Sequence, residues 1–206
     1  MLVKKYLIID GIKIMLKRLI AVAIFAMLVY LGFLATGEYR AGQKYLDSKY
    51  YDKAIAQWTP LAEGENKLPF ITTVIGLFDY QVKAQQKVAS IYMYRDDGNT
   101  NPEKALELFQ LAAKGGNEIA QFTLAQEYSN SISADPQGKK RIPVYAKDMV
   151  LADMWIKVAL LQKTKKSRKY ETYIRLYEKE MSAEDIAKAT SLSEACYESK
   201  FQNCGY

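Results

Sequence analysis

The chain has 206 residues, half of them apolar and a quarter charged, enough for one domain with a sizeable core plus a short extra segment. It has no histidine and only two cysteines, which removes Ser-His-Asp and Cys-His nucleophile systems, ordinary structural zinc and iron–sulfur ligation. The formal net charge is +6, but residues 1–37 hold five basic side chains and one acid. The other 169 residues carry 24 basic and 22 acidic groups, so the body is near neutral and gives no basis for nucleic-acid binding.

Residues 19–36 read LIAVAIFAMLVYLGFLAT, 18 residues without a charge. As a helix this run spans roughly 27 Å, close to the hydrocarbon thickness of a bilayer. Lys13, Lys17 and Arg18 precede it and Glu38 follows. Basic residues stay cytoplasmic, so the pattern predicts a cytoplasmic basic start at 1–37 with one transmembrane or signal-anchor helix. The body is then expected in the periplasm, held at the inner membrane. A signal peptide is the other reading: Ala35 and Gly37 fit the −3 and −1 positions, with release to the periplasm after Gly37. The length of the run and bulky Tyr30, Leu31 and Phe33 favour retention. Met15 reads as a second possible start, which would make 1–14 an upstream extension with little structure.

Two patterns recur downstream. Residues 84–92 (AQQKVASIY) and 120–128 (AQFTLAQEY) share A-Q-x-x-[VL]-A-x-x-Y. Residues 53–64 (KAIAQWTPLAEG) and 104–115 (KALELFQLAAKG) share Lys-Ala, an aromatic four residues after that Ala, Ala eight after it and Gly ten after it. A looser third copy, LADMWIKVALLQ, occupies 151–162. Self-similarity of this kind predicts a solenoid of stacked helix pairs. Ala105, Leu108, Phe109 and Ala112 are spaced for one helix face. Thr100, Asn101, Pro102 and Glu103 read as a helix start, and Gly115 and Gly116 as a stop. Residues 129–144 are rich in Ser, Gly and Pro and read as a loop. The apolar, β-branched stretch 67–78 reads as an extended segment or as a longer start to the helix at 79–95.

These motifs, in this order, resemble the Sel1-like repeat family, a short relative of the tetratricopeptide repeat. The resemblance covers 38–163. It is good in the second unit and partial in the first, where Gly42 and Tyr45 stand in the places of Ala89 and Tyr92, and in the third. It implies an all-α fold: an α/α solenoid of about three helix pairs, preceded by the transmembrane or signal helix, with C-terminal capping helices and a tail at 164–206. It also implies a non-enzymatic scaffold for another protein of the cell envelope, or alternatively an immunity or inhibitor protein that neutralises an envelope-active toxic enzyme.

On the first helices of the pairs, residues between core positions are candidates for a partner-binding surface: Gln85, Lys87, Ser90 and Tyr94, then Gln121, Thr123 and Gln126. In 165–181, Tyr170, Tyr173, Ile174 and Tyr177 share a helical stripe, and the five basic residues of 163–169 read as a solvated helix start, with an anionic-ligand patch as the alternative. Ser182 and Asp185 form a capping box for a last helix. That helix is expected to end near Ser199, and in an oxidising compartment Cys196 and Cys204 are expected to form a disulfide as the tail folds back. No phosphate-binding glycine loop occurs. Asp96 and Asp97 read as an ordinary solvent-facing turn, and nothing among the body's acids selects a catalytic pair. No catalytic residue, cofactor or metal is expected; a carboxylate-dependent envelope hydrolase is the remaining enzymatic alternative.

Overall fold

The computed structural model describes residues 2–64, 77–131 and 143–204, with the side chains of 13–30, 36–64, 80–131 and 143–204. The described residues form eight helices and no strand. They are α1 (Leu2–Asp47), α2 (Tyr51–Ala62), α3 (Leu77–Tyr94) and α4 (Pro102–Lys114). The chain continues with α5 (Glu118–Tyr128), α6 (Met149–Leu161), α7 (Ser167–Glu178) and α8 (Ala183–Glu198). Each helix packs on the next as far as α7, and α8 returns to pack on α6. One interior runs from Ala54 to Cys204. The fold is all-α, as the 3.6-residue apolar period required.

Local chemistry sets the helix ends. The Asn101 side chain accepts a hydrogen bond from Lys104 N at 3.0 Å, and Pro102 opens α4 where a missing N–H is harmless. Asn117, Asp148 and Ser182 cap α5, α6 and α8 in the same way. After α4 the backbone turns at Gly116 with φ +85°, a left-handed conformation that glycine adopts cheaply.

The aromatic residue of each second-helix motif is fully buried: Trp58, Phe109 and Trp155 are all 0% exposed. Trp58 explains a departure from the repeat pattern. Its indole lies where a Cβ on Gly42 would sit, so the larger ring needs the smaller residue. The Trp58 Nε1 donates to the Tyr39 carbonyl at 3.0 Å, which locks α2 onto the end of α1.

α1 is one unbroken helix that begins at Leu2, so 2–14 are helical rather than lacking structure as expected for an upstream extension. No proline interrupts α1, and its basic and long apolar residues are good helix formers. Its apolar side chains at 19–30 point into open space; Phe25 is 69% exposed and Val22 65%. Among the described residues, no helix is long and apolar enough to cross a membrane. Within the expected span, the side chains of 31–35 lie outside those described. The loop expected at 129–144 and the insertion at 67–78 fall largely outside the described residues (132–142 and 65–76), although 77 and 78 open α3.

Candidate functional site

The structure divides the seven candidate partner-binding residues. Gln85, Gln121 and Thr123 lie in the interior, at 6%, 0% and 6% exposure, and present no surface. Lys87, Ser90 and Gln126 are half-buried, and Tyr94 is exposed. The Ser90 hydroxyl accepts from Gln86 Nε2 at 2.8 Å, and Gln126 Nε2 donates to the Ser131 carbonyl at 3.3 Å. Thr123 folds its hydroxyl back onto the Ile119 carbonyl at 2.9 Å.

The two motif glutamines have a structural role. Gln85 Nε2, on α3, donates to the Ala62 carbonyl at the end of α2, 3.0 Å away. Gln121 Nε2, on α5, donates to the Ala113 carbonyl near the end of α4, 3.1 Å away. Ala62 and Ala113 hold the same motif position. The last carbonyls of a helix lack an intrahelical donor, and here the next helix supplies one from inside the core, for Ala113 alongside the Gly116 N–H at 3.0 Å. Gln162 Nε2 adds a third link, donating to Gln121 Oε1 at 2.6 Å.

What remains for contact is a stripe along α3. Lys83, Lys87, Ser90 and Tyr94 recur at helical spacing and are at least partly exposed, with the Lys83 ammonium 5.4 Å from the Tyr80 ring centre. Beside α3, a small pocket of about 50 Å³ lined by Thr59, Glu63, Val88, Tyr92, Lys104 and Leu108 lies between α2, α3 and α4. α5 contributes little to this wall, because α7 covers it: Phe122 packs against Tyr170 and Tyr173 at ring distances of 5.6 and 5.0 Å.

Two charged clusters had no clear signal in the sequence. At the turn after α3, the nearly buried Arg95 donates to Asp97 at 2.7 and 2.6 Å and pairs with Asp52 at 3.0 Å, its guanidinium 5.3 Å from the Tyr51 ring centre. Lys49 and the Tyr51 hydroxyl hold Asp96 at 2.5 and 2.8 Å. These hydrogen bonds lower both aspartate pKa values, Asp97 through Arg95 and Asp96 through Lys49 and then Tyr51. Asp96 and Asp97 sit in a solvent-facing turn, as expected, and that turn also clamps the end of α3 to the α1–α2 connection. Asp52 and Asp96 lie 44 residues apart in sequence, so nothing in the spacing advertised it.

The second cluster joins α6, α7 and α8. Lys157 Nζ reaches Asp153 Oδ2 at 2.5 Å, Glu178 Oε1 at 2.9 Å and Thr190 Oγ1 at 2.9 Å. Burial works against the Lys157 ammonium, but its bonds to Asp153 and Glu178 outweigh that and raise its pKa. Burial pushes the Asp153 carboxyl up against the pull of Lys157. Asp153 is 0% exposed, so no substrate reaches it from solvent; the four residues fasten three helices. Only the Asp153/Lys157 i, i+4 spacing was readable in advance.

Cys196 and Cys204 are joined by a disulfide. Among the described residues, no group of three or more His, Cys, Asp or Glu side chains is arranged to hold a metal ion. No protein-family model and no curated protein matches this chain.

Proposed function

We propose that this chain is an envelope scaffold: a Sel1-like helical-repeat array, held at the membrane by α1, that grips another protein along α3. The observation that carries this reading is the α3 stripe of Lys83, Lys87, Ser90 and Tyr94, which stays partly exposed on an array whose other inner helix, α5, is covered. A solenoid offers a continuous surface without further machinery, and a tyrosine beside lysines is a suitable contact chemistry. Anchoring draws support from the exposed apolar side chains at 19–30, the basic residues before them and the unbroken helix that carries them into the first pair. Retention rather than cleavage is favoured by Thr36, whose hydroxyl bonds to Tyr80 at 3.4 Å from within α1.

Photo-cross-linking in intact envelopes tests the reading. A photoreactive residue at Lys87 or Tyr94 is expected to capture a protein that the same residue at Glu107, exposed on α4, does not. Equal capture at all three positions, or none at Lys87 and Tyr94, overturns it. A single stoichiometric enzyme as the captured species narrows the role to inhibition. Alkaline carbonate washing checks the anchor: the full chain is expected to stay in the membrane pellet.

A further inference from the structure

Antiparallel neighbours give the array two edges, and the unbroken α1 says which edge faces its apolar run. The helix leaves that run at residue 36 and is packed into the first pair from there to Asp47. Contacts follow one edge from α1 to the end of the chain. Thr36 meets Tyr80, Ala62 accepts from Gln81 at 3.4 Å, Glu118 pairs with Lys166 at 2.9 Å, and Gly116 lies against the Phe201 ring. The opposite edge is joined by Lys49 with Asp96, Arg95 with Asp52, and Lys147 with Glu180.

The two edges differ in charge. Among the described residues, the segments of the α1-side edge (36–40, 63–64, 77–80, 114–118, 161–169, 199–204) carry eight basic and four acidic side chains. The opposite segments (47–52, 94–103, 129–131, 143–148, 178–185) carry four basic and ten acidic ones. Several acids of that far edge are spent in ion pairs between turns. On the near edge the turn between α6 and α7 exposes Lys163, Lys165 and Lys166, and the first turn of α7 exposes Arg168 and Lys169. Lys166 is paired with Glu118, and Lys169 lies 4.1 Å from the Phe122 ring centre. Lys163, Lys165 and Arg168 make no ion pair among the described residues.

We infer that this basic edge docks on anionic phospholipid headgroups, so that the repeats stand end-on against the bilayer that α1 enters. The inference rests on the reading of 19–36 as a membrane span. Its own warrant is the coincidence of two independent features: the direction fixed by the continuous helix, and the net positive charge on the edge lying in that direction. Basic side chains within a Debye length of an anionic surface are attracted to it, and this turn and the start of α7 concentrate five of them. A membrane-distal acidic edge is simultaneously held away.

The test uses the full chain in lipid nanodiscs of phosphatidylcholine alone or with phosphatidylglycerol, read by amide hydrogen exchange. Exchange across 163–169 is expected to slow about fivefold or more with phosphatidylglycerol, the factor that one basic residue's surface attraction is worth. Residues 96–101 on the far edge serve as the unchanged control. The slowing is expected to vanish at high salt and in the Lys163→Glu/Lys165→Glu/Arg168→Glu variant, whose α6 exchange reports that it is folded. Equal exchange in both lipids while the chain stays in the discs overturns this inference alone. A chain that leaves the discs overturns the membrane reading with it. Slowing on an added acidic protein or nucleic acid but not on phosphatidylglycerol also overturns it.

Discussion

Gln121 illustrates how one polar side chain can matter more inside this array than on its surface. It is 0% exposed, it donates to the Ala113 carbonyl, and it accepts from Gln162. Gln121→Leu keeps the volume but removes both bonds: the Ala113 carbonyl is left with only the Gly116 N–H at 3.0 Å, and the half-buried Gln162 amide loses its acceptor. Removing one side of a buried hydrogen bond costs about 1–3 kcal/mol. Urea unfolding of the full chain is expected to register a loss of that size for Gln121→Leu, whereas Gln126→Leu, at a half-exposed position, stays within about 0.5 kcal/mol of the parent. The placement of Gln85 and Gln121 on a partner surface failed for an identifiable reason. Period reasoning sorts residues into apolar inside and polar outside, and it takes no account of helix-end carbonyls that need a donor from a neighbouring helix.

At the scale of elements, helix starts and stops were largely legible, because capping chemistry is local: Asn101 with Pro102, Gly116 and Ser182 act within one turn of where they stand. How α7 docks was only half legible. Its stripe of Tyr170, Ile174 and Tyr177 announced a buried face, but not that the face would close over α5. Tyr177 is 3% exposed and receives the Ser129 hydroxyl at 3.1 Å, joining α7 to the end of α5. Burial holds its phenol neutral and pushes its pKa up to about 12. Since that value lies above the ordinary 10, the unfolded chain loses the proton first as pH rises. The stability that the neutral phenol contributes is therefore complete below pH 10 and is lost between about pH 10 and 12, by up to roughly 2–3 kcal/mol. Urea midpoints measured across that range are expected to fall more steeply for the parent than for Tyr177→Phe. The Phe variant starts from a slightly lower plateau because the Ser129–Tyr177 hydrogen bond is gone, while Ser129 keeps the Gln126 carbonyl at 3.1 Å. Parallel slopes would mean that α7 does not keep this phenol dry in solution.

For the whole molecule, the order of stacking was legible because the same motifs recur, and identical small-and-aromatic faces have to meet identical neighbours. The charge division between edges was present in the composition and invisible in it, since it depends on which turns share an edge. How the array is closed at its C-terminal end is likewise a property of the assembled fold. Lys200 and Phe201 both adopt left-handed backbone, at φ 53° and 68°, which is unfavourable for residues with a Cβ and persists only where surrounding contacts demand it. Two contacts do so: the Cys196–Cys204 bridge draws the tail back, and the Phe201 ring lies on Gly116, where any side chain would displace it. The bridge closes a short loop, and chain entropy alone assigns it about 2–3 kcal/mol. Cutting it also frees the strained pair to relax, so the ring should leave Gly116 and expose the α4–α5 turn. Cys196→Ser/Cys204→Ser is expected to unfold at lower urea with a loss of about that size or somewhat less, since the relieved strain offsets part of it, and to exchange the Phe201 amide, now bonded to the Cys196 carbonyl at 2.8 Å, at the rate of an open tail. If the amide stays protected in the variant, the Phe201 ring on Gly116 is sufficient to close the array, and the bridge only adds to a turn that the packing already holds.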